Sequence, residues 1–156
     1  MNEISWVRTF LSELHAWQWA GSLAARFAVG LLFFLSGRGK LFVPKRRAQM
    51  RDTLVAAGVP FPDFNTIFVS AVEFLFGFLL ILGVLTPVDC VMLGCVMIGA
   101  ILTTALKNIQ APPVLGWLSE FLYLPEVLYL LILLWLFLAG PGWFSVDHLI
   151  LCKAGP

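Results

Sequence analysis

The chain has 156 residues, 60% of them hydrophobic and 12% charged, with a mean hydropathy of +0.93. A water-soluble domain of this size would need far more polar surface, and a net charge of +1 makes nucleic acid an unattractive partner. Several apolar runs approach the ~20 residues that cross a bilayer, so the composition predicts one all-α domain over residues 1–156: a polytopic membrane protein in contact with lipid.

Residues 3–19 read as an interfacial amphipathic helix. Ile4, Val7, Leu11 and Leu14 recur at helical spacing, while Ser5, Arg8, Ser12 and His15 take another face. Trp6, Trp17 and Trp19 suit a headgroup boundary. The alternative is a simple extension of the first span. No basic n-region or small-residue cleavage site precedes a short apolar core, so that span is expected to act as its own insertion signal.

The first span is predicted over residues 19–37, with Arg26 inside it and a Gly37-Arg38-Gly39-Lys40 turn at its end. A basic stretch follows, in which Pro44 opens a short helix that Gly58 and the Pro60/Pro62 pair close. Met50, Leu54 and Ala57 are expected to lie against the membrane. The second span covers 64–85 and carries Glu73; the short Thr86-Pro87 connection makes it an antiparallel hairpin with the third, 88–106. In the third span the four-residue spacings Cys90/Gly94 and Cys95/Gly99 predict close helix approach. Cys90 and Cys95 point in different directions, which disfavours a disulfide between them. The link over 108–124 is apolar but broken by Pro112-Pro113 and Gly116, and is placed in the interface. The fourth span covers 122–139, with Pro125 in its first turn, and ends at Gly140-Pro141-Gly142.

Four spans put both termini on one side. Arg38, Lys40, Lys45, Arg46, Arg47, Arg51 and Lys107 lie on the other, against Arg8 and Lys153 at the termini. That asymmetry predicts a cytoplasmic basic loop over 38–51 and periplasmic termini in a bacterial inner membrane.

A charge in hydrocarbon is costly, so Arg26 and Glu73 should face the protein interior. Measured from predicted span ends at 1.5 Å per residue, Arg26 lies roughly 16 Å deep and Glu73 roughly 14 Å deep. The expectation is a buried Arg26–Glu73 pair, each charge passing near Gly77 or Gly30 of the other helix. Such a pair is either a structural register pin or the centre of a polar pocket, in which Arg26 holds a quinone-like carbonyl and Glu73 orients it or relays a proton. Lys40, Lys107 and Glu126, with Arg38 and Glu120, form a second candidate cluster at the loop side. Glu126 is the best candidate there for burial, since it begins an unbroken apolar run. At the opposite end, Gly140 and Gly142 suit a tight exit turn, and Ser145 and Asp147 follow. Asp147 is expected to cap a terminal helix or accept from a neighbouring loop. His15 and His148 lie on one membrane side, but nothing in their spacing demands a metal, and none is predicted.

The pattern Arg26-x3-Gly30-x2-Phe33-x3-Gly37-x2-Lys40 resembles the DoxX family of small bacterial membrane proteins. So do the Gly58-Val59-Pro60-x-Pro62 linker, Glu73-x3-Gly77 with the following Gly83-x2-Thr86, Glu126, and Gly140-Pro141-Gly142 followed by Ser145-Val146-Asp147. The order and spacing cover nearly the whole chain. The resemblance implies a four-helix membrane fold, with Gly37 and Gly83 among the structural positions. It also implies a membrane subunit of a quinone-linked oxidoreductase or a thiol and oxidative-stress system, with a protein partner as electron donor. A non-enzymatic assembly factor or chaperone with a client is the alternative, because wider relatives act without chemistry of their own. Transport is a weaker third reading, and a homo-oligomer stays open.

Overall fold

The computed structural model describes Trp6, Phe10, residues 17–106, Ile109, residues 114–140, Gly142 and residues 145–147. The predicted interfacial helix over 3–19 lies mostly outside these residues, as do Lys107, His15, His148 and Cys152. The described elements are α1 (Gln18–Phe42), α2 (Pro44–Ala57), α3 (Pro62–Leu82), α4 (Thr86–Ala100, continued by a π-helical turn over Ile101–Ala105), α5 (Val114–Leu122) and α6 (Pro125–Ala139). Among the described residues there is no strand, and the fold is that of an all-α polytopic membrane protein.

Local chemistry fixes most boundaries. Pro44, Pro62, Pro87 and Pro125 each occupy a first-turn position, where the missing N–H costs nothing. Gly58 and Gly83 end α2 and α3 in the left-handed conformation, φ 76° and 67°, and each donates its N–H back to the preceding turn. Residues 18–42, 62–82 and 86–105 are each long and apolar enough to cross a bilayer. The fourth candidate crossing is different. At about 1.5 Å per residue, α6 alone reaches only about 22 Å. It attains span length together with α5, from which it is bent by 62°. Gly116 lies inside α5 and does not break it, contrary to expectation; the break falls at Tyr123-Leu124.

The first span also departs from its prediction. Its helix does not turn at Gly37 but runs through Lys40 to Phe42. Gly37 is a packing glycine: a Cβ there would collide with the backbone of Phe74 and Ser70 on α3. Further along the same seam, Gly30 and Gly77 face one another, and a Cβ on either would sit 2.9 Å from the other's carbonyl oxygen. Small residues thus let α1 and α3 touch backbone to backbone. Phe34 stacks on Phe74 beside the seam, with ring centroids 4.9 Å apart.

A second layer, α4 against α6, closes the core. Val29 and Phe33 from α1, Leu80 from α3, Cys90, Leu93 and Met97 from α4, and Leu133 and Leu136 from α6 form one buried cluster. The Cys90/Gly94 spacing faces α6 as expected, with Leu130 Cδ1 lying 3.6 Å from a Gly94 Cβ. The Cys95/Gly99 spacing does not: nothing lies within 4 Å of a Cβ on Gly99, and Cys95 is exposed. Both Cys90 and Cys95 are free thiols. The short helix α2 folds back on the bundle, so Leu54 is buried rather than turned to lipid.

Candidate functional site

The seam sets the register of the two buried charges, and it keeps them apart. Gly37 lies against Ser70 and Phe74, Gly30 against Gly77 and Ile81, and Arg26 against Gly83. Glu73 is therefore level with Ser36, ten residues along α1 from Arg26, or about 15 Å at helical rise. The predicted Arg26–Glu73 pair does not form. The depth estimate failed because it ended α1 at Gly37; the helix continues past that point, which moves every residue of α1 relative to α3.

Glu73 instead takes Lys40. The ammonium nitrogen lies 2.8 Å from both Oε1 and Oε2, and Ser36 Oγ donates to Oε2 at 3.0 Å. Ser36 and Lys40 are four residues apart on α1, so one helix face presents both donors to one carboxylate. The Glu73 side chain is only 4% exposed, and Lys40 is 23% exposed. The bonds are charge-assisted and leave Glu73 fully engaged.

Lys40 and Glu73 line a cavity of about 480 Å³. Its walls come from α2 (Met50, Leu54), α3 (Phe68, Val72), α4 with its π turn (Val96, Thr103) and the first turn of α6 (Glu126). The lining is mostly apolar, with charged side chains at Lys40, Glu73 and Glu126 and uncharged polar ones at Thr53, Asn65, Thr103 and Thr104. Glu126 lines this cavity, and its Oε2 atom is buried with no hydrogen-bond partner among the described residues. Arg38, from the same predicted cluster, is exposed on α1, and Glu120 is exposed on α5. The π turn widens the helix where it meets the cavity, and Thr103 and Thr104 return their hydroxyls to Gly99 and Ala100 carbonyls, 2.7 and 2.8 Å away.

Arg26 belongs to a separate centre at the far end of the bundle. It is 3% exposed and packs on Gly83, where a Cβ would fall 2.5 Å from its Nη1. The charge of Asp147 reaches it there. Asp147 accepts the backbone N–H groups of Leu85 and Thr86 at 2.7 and 2.9 Å and so caps the start of α4 from outside it. This is the neighbouring-loop reading of Asp147. It also holds Leu85 at φ 54°, a conformation that residues with a Cβ rarely adopt. Ser145 donates to the Gly142 carbonyl at 2.9 Å, and Gly140 and Gly142 turn the chain with φ 77° and 71°.

Gly30 and Gly77 therefore serve close approach, and the backbone contact between them leaves no space for a ligand at that level. One buried acid escaped the sequence reading. Asp89 is 0% exposed in the first turn of α4, and neither carboxylate oxygen has a hydrogen-bond partner among the described residues. Thr86 Oγ1, one turn earlier, is in the same position. The available signal was an aspartate three residues beyond Thr86 at the start of an apolar span.

Lys40, Glu73 and the seam glycines are also the residues that carried the family resemblance. The DoxX family model matches residues 21–106, which take in nearly all of α1 and the whole of α2, α3 and α4. An uncharacterised membrane protein of Mycobacterium tuberculosis is 32% identical over 148 residues, covering 92% of this chain and 87% of the relative. No solved structure matches. With a family model over more than half its length, and a relative aligned across nearly all of it, the chain belongs to the DoxX family of membrane proteins.

Proposed function

We propose that the chain is the integral membrane subunit of a quinone-linked oxidoreductase or thiol and oxidative-stress system, and that the cavity beside Lys40 takes the quinone head group. One observation carries this reading: an ammonium group anchored by Glu73 stands at the wall of a cavity of about 480 Å³, with an unpartnered carboxylate oxygen of Glu126 in the same space. The volume falls in the range of roughly 300–1,000 Å³ typical of small-molecule sites, and an apolar lining with few polar groups suits an aromatic ring bearing carbonyls.

A quinone supplies the redox chemistry, taking up two electrons and two protons to become the quinol. The electrons come from a partner protein. Lys40 Nζ donates a hydrogen bond to a head-group carbonyl while Glu73 and Ser36 hold it in place. Glu126 exchanges a proton at Oε2. In this reading the basic helix α2 faces the cytoplasm, as the excess of Lys and Arg around it favours.

Quinone extracted from protein purified out of native membranes, and measured per mole of protein, tests the reading. Wild-type protein should carry it, and Lys40→Met with Glu73→Leu and Glu126→Gln, which leaves no unpaired charge from the pair, should lose about tenfold or more occupancy while remaining folded. Equal quinone in both preparations, or none in either, rejects it.

A second reading has its own support. Glu73 is satisfied by Lys40 and Ser36 without any ligand, as in a pair that only fixes helix register. In that case the chain is an assembly factor, and replacing the pair changes association with a client while quinone content stays the same.

A further inference from the structure

We infer that the cavity is entered sideways from the bilayer, through an opening between α3 and α4 bordered by Phe68, Cys95 and Gly99, and that this opening holds the hydrocarbon tail of the bound amphiphile. The inference rests on the quinone reading of the same cavity and adds the route and the residues that select for a tail.

Three observations lead to it. The cavity carries three charged side chains, Lys40, Glu73 and Glu126, whereas Phe68, Met92 and Val96 are among its apolar lining. Two lining residues on the spanning helices reach the outer surface, Phe68 at 51% exposure and Cys95. Gly99 lies one turn from Cys95 on the same face, and a Cβ there would meet nothing within 4 Å. The small residues that looked like a helix-packing stripe thus border open space.

Depth decides what that space contains. Cys95 is ten residues from the Ala105 end of its span and nine from Thr86, so it lies about 14 Å from either end. The opening is at hydrocarbon depth, where lipid chains are the solvent. On the other side the cavity is roofed by α2, whose Met50 and Leu54 line it and whose Leu54 is buried. Helices α3 and α4 are joined by a tight turn at Gly83–Leu85, the end remote from the cavity. Antiparallel helices tied at one end separate at the other with the least disturbance, and the cavity lies at that free end. A molecule with a hydrogen-bonding ring and an isoprenoid tail matches both kinds of lining: ring at Lys40 and Glu126, tail leaving past Cys95 and Gly99.

The test is binding of two quinones, one with a long isoprenoid tail and one with the same ring and none, to nanodisc-embedded wild-type protein and Gly99→Trp. Because Gly99 borders open space, tryptophan fits without disturbing the helix. Gly99→Trp should weaken the tailed quinone about tenfold and the tail-less ring less than about twofold. Equal affinity of both proteins for the tailed quinone overturns side entry while leaving the quinone reading standing. Wild-type protein that binds neither compound rejects the quinone reading and the inference together. Alkylation of Cys95 in a Cys152→Ser background gives a readout that needs no bulky substitution. A membrane-soluble maleimide should react, a charged one should not, and tailed quinone should slow the first. Labelling by the charged reagent would place the opening in water and overturn the inference.

Discussion

The two ends of this bundle each hold a positive side chain, and they treat it in opposite ways. At the turn end, Arg26 lies against the backbone of Gly83 under the Asp147 segment, which is itself tied to the Leu85 and Thr86 amides. At the other end, Lys40 is held by Glu73 and Ser36 but faces a cavity. A buried charge closed over by backbone can do little except fix the arrangement around it. A half-buried charge fastened on one side and open on the other is available to a ligand. Between the two ends lies the glycine seam, which decides which residues of α1 and α3 are level and hence which charges meet.

The seam is the place to break this contrast most severely. Gly77→Leu forces a side chain into the backbone of Phe34 and Gly30, and should lower stability by about 3 kcal/mol or more, read as loss of monodisperse protein and a lower melting temperature in detergent. The cavity end gives the next largest effect. Glu73→Leu leaves Lys40 without its carboxylate and should cost about 3 kcal/mol, whereas Glu73→Leu combined with Lys40→Met should fall within about 1 kcal/mol of wild type. A full double-mutant cycle by thermal melting checks this, and additive losses would show that the two residues act separately. At the turn end, Asp147→Ala removes two hydrogen bonds to the start of α4 and should cost about 1–2 kcal/mol. It should also leave quinone binding at the distant cavity unchanged, which sharpens the separation of the two centres. The smallest expected change is a gain: Asp89→Asn relieves a fully buried, unpartnered carboxylate and should raise stability by about 1 kcal/mol. A loss in that variant would mean that Asp89 has a partner in the membrane-embedded protein.

Particular residues show how far the sequence reached. Prolines at first-turn positions and glycines at α2 and α3 ends were legible, because their backbone restrictions act within a few residues. Lys40, Glu73 and Glu126 were each singled out, yet Glu73 was assigned the wrong partner. Gly37 caused the error: as a letter it reads equally as a helix end or as a contact between helices, and here it is the contact. Asp89 was missed for a related reason, since burial at a helix start depends on what folds over it, and the Asp147 segment is more than fifty residues away.

Composition and local pattern alone determined that this is a helical membrane protein, where its helices begin and which side chains bear charge in the apolar region. Hydrophobic length and proline chemistry are short-range properties carried by neighbouring residues. Only the tertiary structure decided that Lys40 rather than Arg26 meets Glu73, that Asp147 caps α4, and that Cys95 and Gly99 border a cavity. Those outcomes follow from the register of α1 on α3 and the packing of α4 against α3 and α6. Both are rigid-body relations between helices, set by packing across the whole bundle.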